Sequence, residues 1–435
     1  MSSAHTGGRS SGAPLPLGFR KHDLSARRRE VKTSFAIGEE EWEGLSASTK
    51  LLSIADVMVE SVVGCVPIPL GIADGFLIDG EEVAIPMAVE EPSVIAAASF
   101  AAWLVRPDGG FTTWASPPLM TAQVFLEGVT VEGERKLAAC GARVRSTLTP
   151  MLSSLERRGG GFRELRVSRL PGSGTVRADI VIDVRDAMGA NRLNTAAERA
   201  RPVLEAESGG RTLMAILTNA AQERLAGARF SIRAERLGIR LPAGMDGAEA
   251  VRRVARASAL AQEDPSRAVT HNKGIMNGIS SLALATMNDT RAVEAAAHAW
   301  AARGGQYRGL STFTAQGDTL SGELELPLAL ATAGGSVDFH PAGRASLAVL
   351  GAPDAPRLSR IAAALGLAQN FAALLALVTT GIQQGHMRYH AARMAYRAGA
   401  RGQEARQLAA LLAAAETADI QAARSMLARL REGAG

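Results

Sequence analysis

The chain has 435 residues, of which 47% are apolar and 21% charged, with a net charge of +5. That is the make-up of a soluble globular protein with room for two or three domains. The basic excess is spread along the chain with few aromatic residues, which argues against a nucleic-acid partner and suits a phosphate-rich small molecule better. Cys65 and Cys140 form neither a CxxC pair nor a disulfide framework, so a reducing, cytoplasmic setting is expected.

Residues 1–18 are Gly/Ser-rich and carry no apolar stretch of the signal-peptide kind, and they read as a disordered leader. Residues 40–64 have apolar positions at helical spacing, and strands are expected at 65–70, 75–79 and 83–88. In VEEPSVIAAASFAAWLV, Pro92 suits the first turn of a helix that runs over 93–105. From 117 the texture changes: a strand around 121–131, a helix over 133–157 despite Pro150, strands at 162–170 and 175–184, a helix over 190–207, and a strand at 212–218. This βαββαβ order is the ferredoxin-like, split arrangement. The expected fold is therefore α+β. A large helix-rich domain (19–116 and 221–380) carries an inserted small domain (117–220), and a C-terminal helical flap occupies 381–435. Residues 361–385 carry no charge and are long enough to cross a bilayer, but Gln369, Asn370, Thr379, Thr380, Gln383 and Gln384 interrupt them. A buried helix of a soluble protein is expected there, with no membrane contact.

Only five of the 48 basic residues are lysine, and beyond Lys136 lysine occurs once, at position 273 in HNKGIMNGI. Lysine is a compact charge whose pKa moves readily, whereas arginine is a planar fork. A solitary lysine therefore marks either a site where arginine would not serve or a survivor of compositional bias. Arg267 precedes it by six residues, and Gly274 and Gly278 allow a close backbone approach. An arginine that clamps a carboxylate and a lysine that faces a developing oxyanion would suit a substrate with a carboxylate at one end and a reacting carbonyl at the other. Glu91 in VEEPS sits at a helix start, either as a dipole partner or, if buried, as a general acid. Asp289 in ATMNDTRAVEAAAHAW is either a helix cap or a neighbour of Lys273. His386 and His390 are four apart, but no HExxH pattern or cysteine cluster supports a metal, so none is assigned; His386 is either a proton donor or a surface residue. DVRDAMGAN at 183–191 runs from a strand end into a helix start, where amides can receive phosphate, and it is not a GxGxxG fingerprint.

Together VEEPSVIAAAS, DVRDAMGAN, DPSRAVTHNKGIMNGI, Asn288–Asp289 and GIQQGHM resemble, in order, the signature segments of 3-hydroxy-3-methylglutaryl-coenzyme A (HMG-CoA) reductases, above all the soluble bacterial class II enzymes. The resemblance implies interconversion of HMG-CoA with mevalonate and coenzyme A, in the mevalonate pathway of isoprenoid metabolism, with two NAD(H) or NADP(H) per turnover. By carry-over, Lys273 stabilises the oxyanion, Glu91 exchanges a proton, Asp289 tunes both, and His386 protonates the departing thiolate. Ser93, Arg267 and Asn277 hold the methylglutaryl end, and Arg20 meets coenzyme A. Asp186, Met188, Gly189, Ala190, Asn191 and Asn219 line the dinucleotide site. Arg135, Arg143, Arg145, Arg157 and Arg158 point toward tolerance of NADP(H), with the preference left open. The family also implies a homodimer, or a higher oligomer, with the active site at its interface. Ser61 and Met287 depart from the usual Asn and Gly. A non-redox coenzyme A thioester enzyme such as an acyl transferase, or a non-catalytic helical scaffold, are the rival readings.

Overall fold

A computed structural model of the protein describes residues 21–34, 42–43, 48–238, 241–242, 244–379, 381, 391–415 and 419–432. The chain forms two compact units, Met1–Pro69 and Leu70–Gly435. In the first, helices α1 (Leu24–Ser34) and α2 (Thr49–Met58) are present, and Ser48 caps α2 by accepting from the Leu51 amide. Buried Arg27 donates to the carbonyls of His22 and Val62 at 3.0 Å each and pairs with Asp56. The helix expected over 40–64 thus ends at Met58, and residues 65–69 form no strand.

The second unit opens with the antiparallel hairpin β1 (Leu70–Ile78) and β2 (Glu81–Ala88), followed by helix α3 (Val94–Val105) and strand β3 (Thr112–Ala115). Next come β4 (Leu119–Glu127), α4 (Val131–Ala139), α5 (Gly141–Glu156), β5 (Gly161–Arg169), β6 (Val176–Asp183), α6 (Ala190–Ser208) and β7 (Arg211–Leu217). The single helix expected over 133–157 is two, parted at Cys140; Thr130 caps the first by accepting from the Gly133 amide. The four strands form one antiparallel sheet in the order β5-β6-β4-β7, so the last strand lies beside the first. Met120, Ala122, Val124 and Leu126 alternate into a core with the apolar stripes of α5 and α6, such as Leu148, Leu152, Leu193 and Leu204.

The chain then returns to a larger core through β8 (Leu225–Arg233), α7 (Gly247–Glu263), α8 (Pro265–Ala285), α9 (Thr290–Ala301), β9 (Ser311–Gln316), β10 (Thr319–Pro327), α10 (Pro341–Val349) and α11 (Ala355–Val378). Strands β3, β8, β10 and β9 make a second antiparallel sheet. Phe230 on that sheet meets Phe111 at 5.6 Å and Phe371 of α11 at 5.0 Å between ring centroids, which locks α11 to the strands. α11 is the apolar stretch long enough for a membrane span, yet 78% of its most apolar window is buried, as the central helix of this core. It crosses α8 closely: a Cβ on Gly366 would lie 2.7 Å from Ile279 Cδ1, and one on Gly278 would lie 3.2 Å from the Leu365 carbonyl oxygen. The small residues of HNKGIMNGI therefore admit a helix, and α8 runs through the whole motif.

Beyond residue 391, helices α12 (Gly402–Ala414) and α13 (Ile420–Glu432) share a small core of Ala395, Leu408, Leu412, Ala423 and Leu427. Arg431 binds Glu404 across the pair through its Nε at 2.6 Å and its Nη2 at 3.0 Å.

Candidate active site

Helices α3, α8 and α11 border an open cleft of about 580 Å³, whose lining includes Ser93, Arg267, His271, Lys273, Asn277 and Asn370. α8 supplies four of these because Asp264 caps it by accepting from the Ser266 amide and Pro265 fixes its first turn. Residues 267, 270, 274 and 277 then fall at three- and four-residue spacing along the helix, with 271 and 273 beside them.

At the mouth, Lys273 Nζ donates to Glu91 Oε2 at 2.9 Å. The two residues are 182 positions apart in sequence, so tertiary folding alone makes the pair. Glu91 is not enclosed as a buried acid would be: its side chain is 36% exposed and that of Lys273 58%. Pro92 lies outside the helix, because α3 starts at Val94 and its N-cap is Ser93. Ser93 holds the left-handed conformation, φ 74°, and its buried Oγ has no hydrogen-bond partner among the described residues. Such strain at a non-glycine residue costs about 1–3 kcal/mol and gathers at functional sites.

Deeper in the cleft, Arg267 has no hydrogen-bond or ion-pair partner among the described residues, and burial holds its guanidinium below the usual arginine range. One turn on, His271 is fully buried and sequence reasoning missed it. The Asn370 amide donates to the His271 carbonyl at 3.1 Å, which turns Asn370 Oδ1 toward Ser311; the Ser311 hydroxyl donates to it at 2.7 Å. Ser311 Oγ must then accept from His271 Nε2, 2.7 Å away. The ring is therefore the Nε2–H tautomer, and its buried Nδ1 is an unpartnered acceptor, as is Gln369 Oε1, also in the lining. Burial, then the nearby Arg267 charge, pushes the His271 pKa down to about 4, so the ring is neutral at pH 7. The guanidinium and the Ser93 hydroxyl, without partners among the described residues, suit an anionic group, while the two acceptors His271 Nδ1 and Gln369 Oε1 suit a donor such as a hydroxyl.

Asp289 caps α9, its Oδ1 accepting from the Arg291 and Ala292 amides at 3.1 Å each, and it meets Arg291 Nε at 3.4 Å. Its neighbour Asn288 braces the Ala331 backbone with both ends of its amide, at 2.7 and 3.0 Å. Both departures from the family pattern sit at left-handed backbone, Ser61 with φ 59° and Met287 with φ 57°. That conformation is the physical reason Asn and Gly are the usual residues at such positions. Arg20 and His386 lie outside the described residues.

The second candidate site is the turn from β6 into α6. Gly189 is the N-cap of α6 with φ 87°, no side chain caps the helix, and a Cβ there would strike Val184 Cγ1 at 2.6 Å. Met188, Ala190 and Asn191 flank it, leaving the first amides of α6 for an anion. Exposed Asn219 follows β7, and Asn194, which the sequence did not single out, ties the two places together by accepting from the Leu217 amide at 2.9 Å. Asp186 Oδ1 accepts from the Ala355 amide at 3.1 Å, so this carboxylate ties the turn to the first residue of α11, which Asp354 caps.

A lysine–carboxylate pair beside an open cleft and an uncapped helix start in a separate αβ layer are the two candidate sites of an enzyme fold. The chain belongs to the hydroxymethylglutaryl-coenzyme A reductase family, whose model matches residues 23–391. It is 40% identical to the 3-hydroxy-3-methylglutaryl-coenzyme A reductase of Archaeoglobus fulgidus over 95% of this chain and 94% of that one. It is 34% identical to a probable enzyme of the same name from Borreliella burgdorferi, over 88% and 86%. Among solved structures, the class II reductase of Streptococcus pneumoniae, bound to NADPH in open conformations, aligns with TM-score 0.73 and 39% identity over 94% of this chain and all of that one. The activity is accordingly that of an oxidoreductase acting on HMG-CoA, and neither the acyl transferase nor the scaffold reading stands.

Proposed function

We propose that the α3–α8–α11 cleft binds the hydroxymethylglutaryl group and that the Lys273–Glu91 pair carries its reduction to mevalonate, with release of coenzyme A. The ion pair at 2.9 Å, set at the mouth of a cleft with an unpaired arginine, is the observation that carries this reading. Arg267 clamps the substrate carboxylate, and the neutral His271 beside it leaves that positive charge unopposed and unrepelled. The unpartnered Ser93 hydroxyl and the Asn277 amide add hydrogen bonds to the same group. The thioester carbonyl oxygen faces Lys273, whose ammonium balances the negative charge that develops on that oxygen, first in the thioester and again in the aldehyde. Glu91 exchanges a proton with that oxygen through the lysine: the ammonium protonates the first alkoxide, the carboxylate takes the proton back as the hemithioacetal loses its thiolate and returns it to the second alkoxide, and solvent resets the pair, which its partial exposure permits. Between the two reductions the carbon–sulfur bond breaks; His386 protonates the departing thiolate, and Arg20 holds coenzyme A. Asp289 joins the pair when Arg291, itself largely exposed, releases it.

The turn at 184–191 fits the pyrophosphate of a nicotinamide dinucleotide: Gly189 lets the turn pack on Val184 at left-handed φ and start α6 with no capping side chain, and Met188, Ala190, Asn191 and Asn219 border the place. Two dinucleotides bound there in succession would each supply one hydride, one for each reduction. Arg143 is paired with Glu207 and Arg135 with Glu132, whereas Arg145 lies 5.3 Å over the Phe162 ring; Arg145, Arg157 and Arg158 are the candidates for a 2′-phosphate, which favours NADP(H). The exposure of Lys273 and Glu91 in a single chain fits a homodimer whose second copy covers them. Residues 117–220 serve as the dinucleotide domain and 381–435 as the flap over the cleft.

Purified protein mixed with HMG-CoA and NADH or NADPH tests the assignment by nicotinamide absorbance and thiol release. Two cofactors oxidised per thiol released support it. Thiol release without oxidation, or neither signal, contradicts it.

A further inference from the structure

Arg224, between β7 and β8, is 3% exposed and takes no part in the chemistry above. Nη1 donates to the Ala187 carbonyl at 3.0 Å and Nη2 to the Leu330 carbonyl. No carboxylate pairs with it at contact distance among the described residues. Desolvation pulls its pKa down to about 10, opposed by the more distant charges of Asp183 and Asp186, so it stays protonated at pH 7. Burying an ion in this way costs several kcal/mol that a methionine of similar length would not incur. What the guanidinium adds is direction: two donors joining the carbonyl of the β6–α6 turn to that of the segment after β10.

The same turn is held from two further sides. The Asp186 carbonyl accepts from the amides of Thr332 at 2.9 Å and Ala333 at 3.2 Å, and its carboxylate accepts from Ala355 at the start of α11. Arg185 within the turn is left-handed, φ 54°, and Asp183 Oδ1 accepts from its amide at 3.1 Å. Strained backbone persists only where its surroundings over-determine it. Arg224, Asp186 and the 330–333 segment thus set the turn that presents the first amides of α6, and they join it to α11, whose far half lines the substrate cleft with Gln369 and Asn370.

We propose that Arg224 is a positioning residue for dinucleotide binding: it fixes the 184–189 turn against the 330–333 segment so that the α6 amides meet the pyrophosphate in one geometry. This rests on the reading of that turn as the dinucleotide site. The test is calorimetric titration of NADPH and, separately, HMG-CoA into the full-length protein carrying Arg224→Met, Arg224→Lys or Gly189→Val, with circular dichroism to confirm folding. The methionine variant should lose about tenfold or more in NADPH affinity while its HMG-CoA affinity stays within about twofold. The lysine variant, which can reach only one of the two carbonyls, should fall between. If the methionine variant does not fold, the lysine variant decides alone. NADPH affinity within about twofold of wild type in the folded variant, or equal losses for both ligands, overturns the inference. Gly189→Val separates the two failures. If it too leaves NADPH binding intact, the site reading is wrong; if it abolishes binding while the Arg224 variants do not matter, only the role of Arg224 is wrong.

Discussion

Arg267→Met should weaken the enzyme and leave the fold no less stable. The guanidinium sits in the cleft with no hydrogen-bond or ion-pair partner among the described residues, and burial disfavours its charge. Removing it leaves the substrate carboxylate without its clamp, a loss of about 3 kcal/mol or ~100-fold in kcat/KM, since truncating one member of a charge pair typically costs 2–5 kcal/mol. The change should fall mainly on KM, because the carboxylate is far from the reacting carbonyl and is bound equally in ground and transition states. Stability should hold or rise, by up to about 1 kcal/mol, because an unpaired and partly desolvated charge is replaced by an apolar chain. Arg267→Lys should recover part of the loss, since an ammonium keeps the charge but lacks the bidentate fork. Steady-state kinetics with HMG-CoA and urea unfolding of the same preparations measure both sides. A Met variant with near-normal KM, or one destabilised by several kcal/mol, refutes the view that this arginine is kept for the substrate.

Lys273→Ala should lower kcat by ~10²–10³-fold or more with unchanged unfolding, because the side chain is largely exposed and contributes little to the core; normal turnover would dismiss the lysine. Gly189→Val places a side chain against Val184 at left-handed φ, so NADPH affinity should collapse while HMG-CoA binding persists, as separate titrations will show. The His271 pKa is depressed in the folded state, so between about 4 and 6.5 the unfolded chain binds the extra proton. Its contribution is thus fully present above pH 6.5 and is lost as pH falls toward 4, by up to about 3 kcal/mol, with His340 adding in the same direction. Urea midpoints at pH 7 and pH 5 should show this loss, and His271→Gln should flatten it.

The candidate residues of the site were easier to pick out from sequence than the backbone that holds them. The solitary Lys273 stood out by composition, and Arg267, Glu91 and Ser93 by their motifs. The 182-residue gap between Lys273 and Glu91 could be bridged only by tertiary packing. α8 was hard to see because Asn272, Gly274, Asn277 and Gly278 have poor helix propensity; its contact with α11 at Gly278 and Gly366 overrides that. β8 was missed although Ala226, Ala228, Phe230 and Ile232 alternate inward, because Arg229 and the small residues blur the apolar signal. His271 looked like one more polar residue in HNKG, and only its burial beside Ser311 and Asn370 reveals a fixed tautomer. Asp186 read as a ligand residue of the 183–191 motif; its carboxylate also accepts from the Ala355 amide, a partner 169 positions away that no local pattern signals.

The claim on which the account rests is that a compact ammonium at 273, paired with Glu91, balances negative charge on the substrate oxygen. Measuring kcat of Lys273→Arg on HMG-CoA and on free mevaldehyde tests it most directly, since charge is kept while size and geometry change. The account predicts a fall of ~100-fold or more on both substrates with HMG-CoA affinity nearly unchanged. Turnover close to wild type on either substrate would contradict it.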